Sequence, residues 1–338
     1  MVGSALFETM NWSDFPISFS KYRSYYMGCA MVMVLLYHWS GICAELQFLG
    51  CFKWGYIGVD IFVFLSGMGL CYAYNKYHPL VFYTRRFLRL YPIYMLTAIL
   101  CTLMWALAHE CVPGALIWLG ELFGLQSVGI VPFFDWYLSF LLLLYLIFPV
   151  LYRARHSALV IGLYLLAYVV LRNYDVTWQL SCMISRVYVF VLGMMAYETL
   201  MNRLPVARLG VLCLVITIIP FVLEIPDRFL LVSSFLPLVL LMLYALHRLL
   251  TVVDRGMLLS RAIDYVGKNS IIVYTSNVVS MQSMAFLGPG INGSLAYWLL
   301  QVVWYIVLYY ANKCLLEPAA AFIEEKVGAI VCKLRGGV

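Results

Sequence analysis

The sequence predicts an all-α, polytopic membrane protein of about ten transmembrane helices, with both termini on the cytoplasmic side. Three observations carry that prediction. Of the 338 residues, 64% are hydrophobic and only 11% are charged, and the mean hydropathy is +0.92; soluble domains run near ~45–50% apolar and ~25% charged. The apolar residues come in runs of about twenty, the length of helix that crosses a ~30 Å hydrocarbon core, whereas a barrel strand needs only ~10 and alternates. Lys and Arg gather in alternate connecting segments, which is the pattern that fixes orientation in a bilayer.

Taken in order, residues 1–22 carry Asn11, Trp12, Asp14 and Pro16 and lack the basic start, short apolar stretch and small-residue exit of a cleavable signal. They are expected to lie along the inner surface. Spans are expected at 24–41, 56–74, 90–108, 136–152, 157–171, 180–200, 206–223, 229–246, 270–287 and 295–314. The stretch 111–131, with Pro113, Gly114, Gly120 and Gly124, reads as an interfacial or re-entrant piece. Residues 315–338 mix Phe322, Ile323, Val327 and Val331 with Glu324, Glu325, Lys326 and Lys333, the signature of an amphipathic helix anchored on the inner surface. No long polar tract, linker or internal repeat divides the chain, so residues 1–338 are expected to form a single membrane domain.

With the N-terminus inside, the inner segments hold all of the 22 Lys and Arg residues except Lys53, Arg172, Arg186 and Arg228. The outer segment 109–135 holds none. The net charge of +6 therefore follows from loop asymmetry and gives no reason to expect nucleic acid. Of the ten Cys residues, Cys43, Cys51 and Cys111 fall in outer segments, where a Cys43–Cys51 bridge is one option. No CxxC or Cys/His spacing suggests a metal.

Depth in the bilayer is the coordinate that singles out candidate chemistry. From Arg23 to His38 is fifteen residues, about 22 Å of helix rise, so His38 lies in the outer half of the first span. The second span runs the opposite way, and Asp60 sits one turn below its outer edge, about 6 Å in. Either residue alone reads as a satisfied interior group, Asp60 as a helix-start cap beside Gly58. Together at matched depth they read as a base and its orienting acid, since a carboxylate in apolar surroundings needs a partner and an imidazole so held is a competent general base.

Arg85, Arg86 and Arg89 stand at the opposite face, just before Tyr91-Pro92 opens the third span. Topology alone explains one or two of them. Arg85 and Arg89 share a helical face with Arg86 one position over, a layout suited to gripping phosphates through forked, charge-assisted bonds. Ser66-Gly67-Met68-Gly69 reads as a packing device for close helix approach rather than as a nucleophile site.

Five stretches together resemble the acyltransferase 3 family, integral membrane enzymes that transfer acyl groups, usually acetyl from acetyl-CoA, onto sugars of surface and secreted polysaccharides. They are Met27-Gly28 with Leu36-Tyr37-His38; Gly58 to Gly67; Tyr83 with Arg85-Arg86-Phe87-Leu88-Arg89-Leu90-Tyr91-Pro92; Trp136-Tyr137-Leu138 with Tyr145-Leu146 and Pro149; and Gly267-Lys268-Asn269-Ser270 with Tyr274. By that resemblance His38 matches the family's essential histidine, and Arg86 and Arg89 its paired arginines. Two positions depart from the pattern. Met27 stands where the family usually has Arg or Lys, with Lys21 and Arg23 a turn or more away as substitutes. Asn277 stands near the place of a frequent histidine.

The resemblance implies a bacterial plasma-membrane O-acyltransferase with acetyl-CoA as acyl donor and no metal. Its partners are acyl-CoA, a glycan acceptor and membrane lipid, with homo-oligomers compatible. In that scheme His38 and Asp60 are catalytic. Arg85, Arg86 and Arg89 hold the donor, and Asn277, Tyr274, Trp136 and Asp135 contact the acceptor. Trp39, Trp54 and Glu45 are further outer residues that fit either a sugar platform or an interfacial belt. Two readings of other classes are a permease or flippase using the His–Asp pair as a proton relay, and an inactive structural subunit of an export assembly. No inverted repeat or paired broken helices support the permease.

Overall fold

The computed structural model describes residues 21–40, 52–108, 110–112, 114–124, 136–201, 206–253, 257–287 and 295–336. Among these residues there are helices and no strands. In chain order the helices are α1 (Arg23–Ser40), α2 (Ile57–Lys76), α3 (Pro79–Ala108), α4 (Ala115–Leu122), α5 (Trp136–Ala154), α6 (Ser157–Asn173) and α7 (Trp178–Ile184). They continue as α8 (Val187–Met201), α9 (Val206–Val222), α10 (Arg228–Ser233), α11 (Leu236–Val253), α12 (Leu258–Lys268), α13 (Ser270–Leu287) and α14 (Leu295–Gly336).

Among the described residues, five helical stretches are long and apolar enough to cross a membrane: Phe52–Lys76, Pro79–Leu107, Trp136–Ala154, Trp178–Leu200 and Leu295–Ile323. Ser157–Asn173, Ala207–Val222 and Leu236–Leu249 are apolar but shorter. Helices α1 and α13 have 18 residues each, and polar side chains such as His38, Thr275, Ser276, Asn277 and Ser280 lower their apolarity.

The structure departs from the expected layout in several places. Helix α3 begins at Pro79, well before the expected span, so its arginines ride on the same rigid rod that enters the bilayer. Helix α14 runs unbroken for 42 residues through Pro318; Ala319, Ala320 and Ala321 immediately after the proline favour helix strongly. The inner-surface tail is thus a continuation of the last span over the described residues. The short α4 fits the interfacial piece, and its end is tied down where Tyr91 and Tyr94 donate to the carbonyls of Leu122 and Glu121. Cys43, Cys51 and residues 1–20 lie outside the described residues.

Missing side chains let the central helices touch backbone to backbone. A Cβ on Gly67 of α2 would stand 2.3 Å from the Phe190 carbonyl oxygen of α8, and one on Gly193 of α8 would stand 2.1 Å from the Phe64 carbonyl of α2. This is the close crossing that small residues permit in membranes. The segment before α13, expected as a basic loop, is an amphipathic helix, α12. There the Ser24 hydroxyl donates to Asp264 at 2.6 Å and Lys268 donates at 2.5 Å. Burial pushes the Asp264 carboxyl up, but the bonds from Lys268 and Ser24 outweigh it and hold the group below the usual carboxylate range. That contact fixes the end of α1 that carries Arg23.

Two of the expected spans are interrupted. The run from Trp178 breaks at Ser185 and Arg186, between α7 and α8, and the run from Arg228 breaks at Ser234 and Phe235, between α10 and α11. Arg186 at the first break and Ser233, just before the second, both reach Asp60. The Arg186 guanidinium meets Asp60 with Nε 3.1 Å from Oδ1 and Nη2 3.4 Å from Oδ2. Ser233 donates to Oδ1 at 2.8 Å, and Arg186 Nη1 donates to the Cys182 carbonyl at 2.8 Å. Asp60 and Arg186 are both 0% exposed. The rings of Tyr56, Trp136 and Phe229 surround the guanidinium at 5.9, 5.3 and 5.7 Å. At the second break the Ser234 carbonyl accepts from Thr217 at 3.1 Å, so the backbone group is not stranded.

Deleting one member of such a pair leaves an uncompensated buried charge, a loss of ~3–5 kcal/mol, whereas replacing both with apolar groups is often neutral. Asp60→Leu and Arg186→Met should therefore each lower the thermal midpoint of the detergent-purified protein. The double variant should recover most of the loss. A double variant no better than the worse single would show that the pair is not what joins the interrupted helices.

Candidate active site

One cavity gathers the basic side chains at the Arg23 end of the bundle. Arg23 comes from α1, and Arg86 and Arg89 from α3; all three line the cavity, and among the described residues no acidic side chain does. Arg86 is aimed by a bond from Nη2 to the Gly69 carbonyl at 2.9 Å. Gly69 lies beside Arg23 as well, since a Cβ there would come to ordinary contact distance, 3.7 Å, of Arg23 Nη2. These are three guanidinium groups on two helices with no balancing carboxylate among the described residues, an arrangement suited to an anion, and their forks match phosphate oxygens. Arg85 points elsewhere. It is exposed, stacked 4.6 Å over the Tyr77 ring, and does not line the cavity.

The walls rising from the arginines are largely apolar, with Met27, Leu90, Leu138 and Leu141 among them, and Ser66 faces the same space. Farther along, the lining includes Phe62, Tyr137 and Tyr274. Tyr274 meets Tyr137 edge-on at 5.1 Å, and Tyr137 lies 6.3 Å from Phe62. The expected acceptor residue Tyr274 is thus a wall of the arginine cavity.

Beyond Tyr274 by three residues, about 4.5 Å of helix rise, Asn277 meets His38. The Asn277 Nδ2 stands 2.6 Å from His38 Nδ1. Asn277 is 0% exposed, and among the described residues its Oδ1 has no hydrogen-bond partner. A carboxamide can present either its donor or its acceptor to an imidazole, and the choice sets the ring's tautomer. With Nδ2 toward the ring, as here, Nδ1 accepts and the ring proton sits on Nε2; turning the carboxamide over brings Oδ1 to an Nδ1–H and leaves Nε2 with a free lone pair. Asn277, expected to contact the acceptor, is therefore placed to orient His38.

The expected His38–Asp60 pair does not form. Asp60 is held by Arg186 and Ser233 instead. Rotation about the α2 axis explains this. Gly58 packs on α1, where an added Cβ would stand 2.3 Å from the Ala30 carbonyl. At 3.6 residues per turn, Asp60 two positions later points about 200° away. Gly58 meets α1 at Ala30, eight residues or about 12 Å of rise short of His38, so Asp60 lies deeper than His38 as well as facing away from α1.

The remaining expected residues divide. Trp136 packs over Arg186, in the ion-pair cluster. Trp39 meets Trp298 and Tyr305 edge-on at 6.4 and 5.3 Å, while Trp54 is 53% exposed. Asp135 and Glu45 lie outside the described residues. Sequence reasoning missed Arg186 as the partner of Asp60. The signal was present: an arginine deep inside an expected span must find an acid, and Asp60 was the acid at that depth.

Comparison with curated proteins and with solved structures gave no match. A family model described as an acyltransferase domain, Acyl_transf_3, matches residues 28–311, which takes in both His38 and the α3 arginines. The chain therefore belongs to the acyltransferase 3 family and is a membrane acyltransferase.

Proposed function

We propose that this acyltransferase moves an acyl group, acetyl by preference, from acyl-CoA to a hydroxyl of an extracytoplasmic glycan or its precursor. The observation that carries the proposal is the convergence of Arg23, Arg86 and Arg89 in one cavity, free of acids among the described residues, that ends one helical turn short of the His38–Asn277 contact. The arginines grip the phosphates of the donor, and its pantetheine arm runs along the apolar walls toward His38. Arg23 supplies the positive charge that the family usually places at the position of Met27. In this orientation the arginines face the cytoplasm of a bacterial cell, where acyl-CoA is made, and His38 faces the outer side.

At the far end His38 acts through Nε2. It takes the proton of the acceptor hydroxyl as that oxygen bonds to the thioester carbonyl carbon. The C–S bond then breaks, and the leaving thiolate recovers the proton from the imidazolium. If the ring nitrogen attacks first, the acyl group rests on Nε2 before passing to the hydroxyl; both routes need the same tautomer. A permease working by a His38–Asp60 relay fits less well, because Asp60 is committed to Arg186. The two interrupted helices also both lie within residues 178–253, not one in each half of the chain.

Three outcomes test the proposal. With labelled acetyl-CoA and membranes carrying the protein, His38→Ala should lower CoA release and label transfer by ~10²–10⁴-fold, the usual worth of a general base, while insertion stays normal. Activity near wild type would remove His38 from the chemistry. Arg23→Ala and Arg86→Ala should each raise the donor KM, with the wild-type KM climbing in high salt; an effect on kcat alone would contradict phosphate binding. Asn277→Ala should lower kcat at least tenfold, and Asn277→Asp, which keeps an oxygen facing Nδ1–H, should retain most of it. Equal losses in the two variants would show that Asn277 only packs.

A further inference from the structure

We infer that Phe62, Tyr137 and Tyr274 form a collar that admits an acetyl-sized thioester tip from the arginine cavity toward His38 and turns longer acyl chains away. The inference rests on the donor assignment above and adds to it what decides the size of the acyl group. Three helices supply the rings: Phe62 from α2, Tyr137 from α5 and Tyr274 from α13. They are 9%, 6% and 8% exposed, and their centroid separations of 6.3 and 5.1 Å are those of rings in contact. All three line the cavity, yet His38 and Asn277 do not.

Tyr274 precedes Asn277 by three residues on α13, so the row of rings starts where the cavity wall comes nearest the His38–Asn277 pair. Each ring is fixed by its neighbours. Phe62 lies two residues from the buried Asp60, on a helix whose rotation the backbone contacts at Gly58 and Gly67 set. Tyr137 follows Trp136, which packs over Arg186. A thioester carbonyl with one methyl group needs only a small displacement of these rings to reach His38. A longer chain must hold them apart or fold back among the leucines below. In fitted apolar sites one methylene changes turnover about 10–200-fold, so a ring collar is a sufficient filter.

The test compares acetyl-, butyryl- and octanoyl-CoA as donors for the full-length protein in membranes, reading CoA release. Wild type should favour acetyl over octanoyl by at least a hundredfold. Phe62→Ala should raise the octanoyl-to-acetyl ratio at least tenfold. Phe62→Leu, which keeps most of the apolar volume and guards against a folding defect, should raise it by a smaller factor. If a folded, active Phe62→Ala or Phe62→Leu protein keeps the wild-type ratio, the collar is overturned while the donor assignment stands. Equal wild-type turnover of all three donors would overturn it as well. If wild type releases CoA from none of them, the donor assignment fails and the collar falls with it.

Discussion

Asp60 and Arg186 meet where neither has access to water, and the fold is arranged so that they can. An isolated charge in a bilayer interior costs several kcal/mol, so the acid that enters with α2 dictates an arginine opposite it. Arg186 reaches that acid where the α7–α8 run opens at Ser185 and Arg186, and the Cys182 carbonyl there accepts from the Ser185 hydroxyl and Arg186 Nη1. The second opening, at Ser234, brings the Ser233 hydroxyl to the same carboxylate. One ion pair thus joins α2, α8 and α10, and the direct backbone crossing of α2 with α8 follows from the same docking.

That commitment shapes the site by removing Asp60 from His38. The histidine takes a neutral carboxamide as its partner, at 2.6 Å. In an apolar setting a neutral pair is cheaper to bury than an imidazole and a carboxylate. The positive charge is kept at the other end, where Arg23, Arg86 and Arg89 share a cavity with no acid among the described residues. In the proposed function the arginines hold the anion and His38 moves the proton, so the two tasks fall to different parts of the bundle.

Much of this was legible from residues alone. Composition gave the membrane class and the helical fold, while run length suggested ten spans where five described helices are long and apolar enough to cross. What counting could not supply was rotation about each axis. Gly58 turns Asp60 away from α1, and nothing in the spacing between His38 and Asp60 reveals it. Arg85 illustrates the same limit, since it shares a helical face with Arg89 in sequence but stacks on Tyr77 outside the cavity. Arg186 was the clearest missed signal, a charge inside an expected span with no partner assigned. Arg23 lies before the residues that the family model matches, and only the packing of α1 against α2 shows that it reaches the cavity from a turn below Met27.

The central claim is that one donor molecule bridges the arginine cavity and His38. A structure determined with a non-hydrolysable thioether analogue of acetyl-CoA tests it most directly. The account predicts phosphate density within hydrogen-bond reach of Arg23, Arg86 and Arg89, with the sulfur at or beyond the Tyr274 ring on the side of His38. Nucleotide density bound at the His38 end, or phosphates held away from those three arginines, would contradict it.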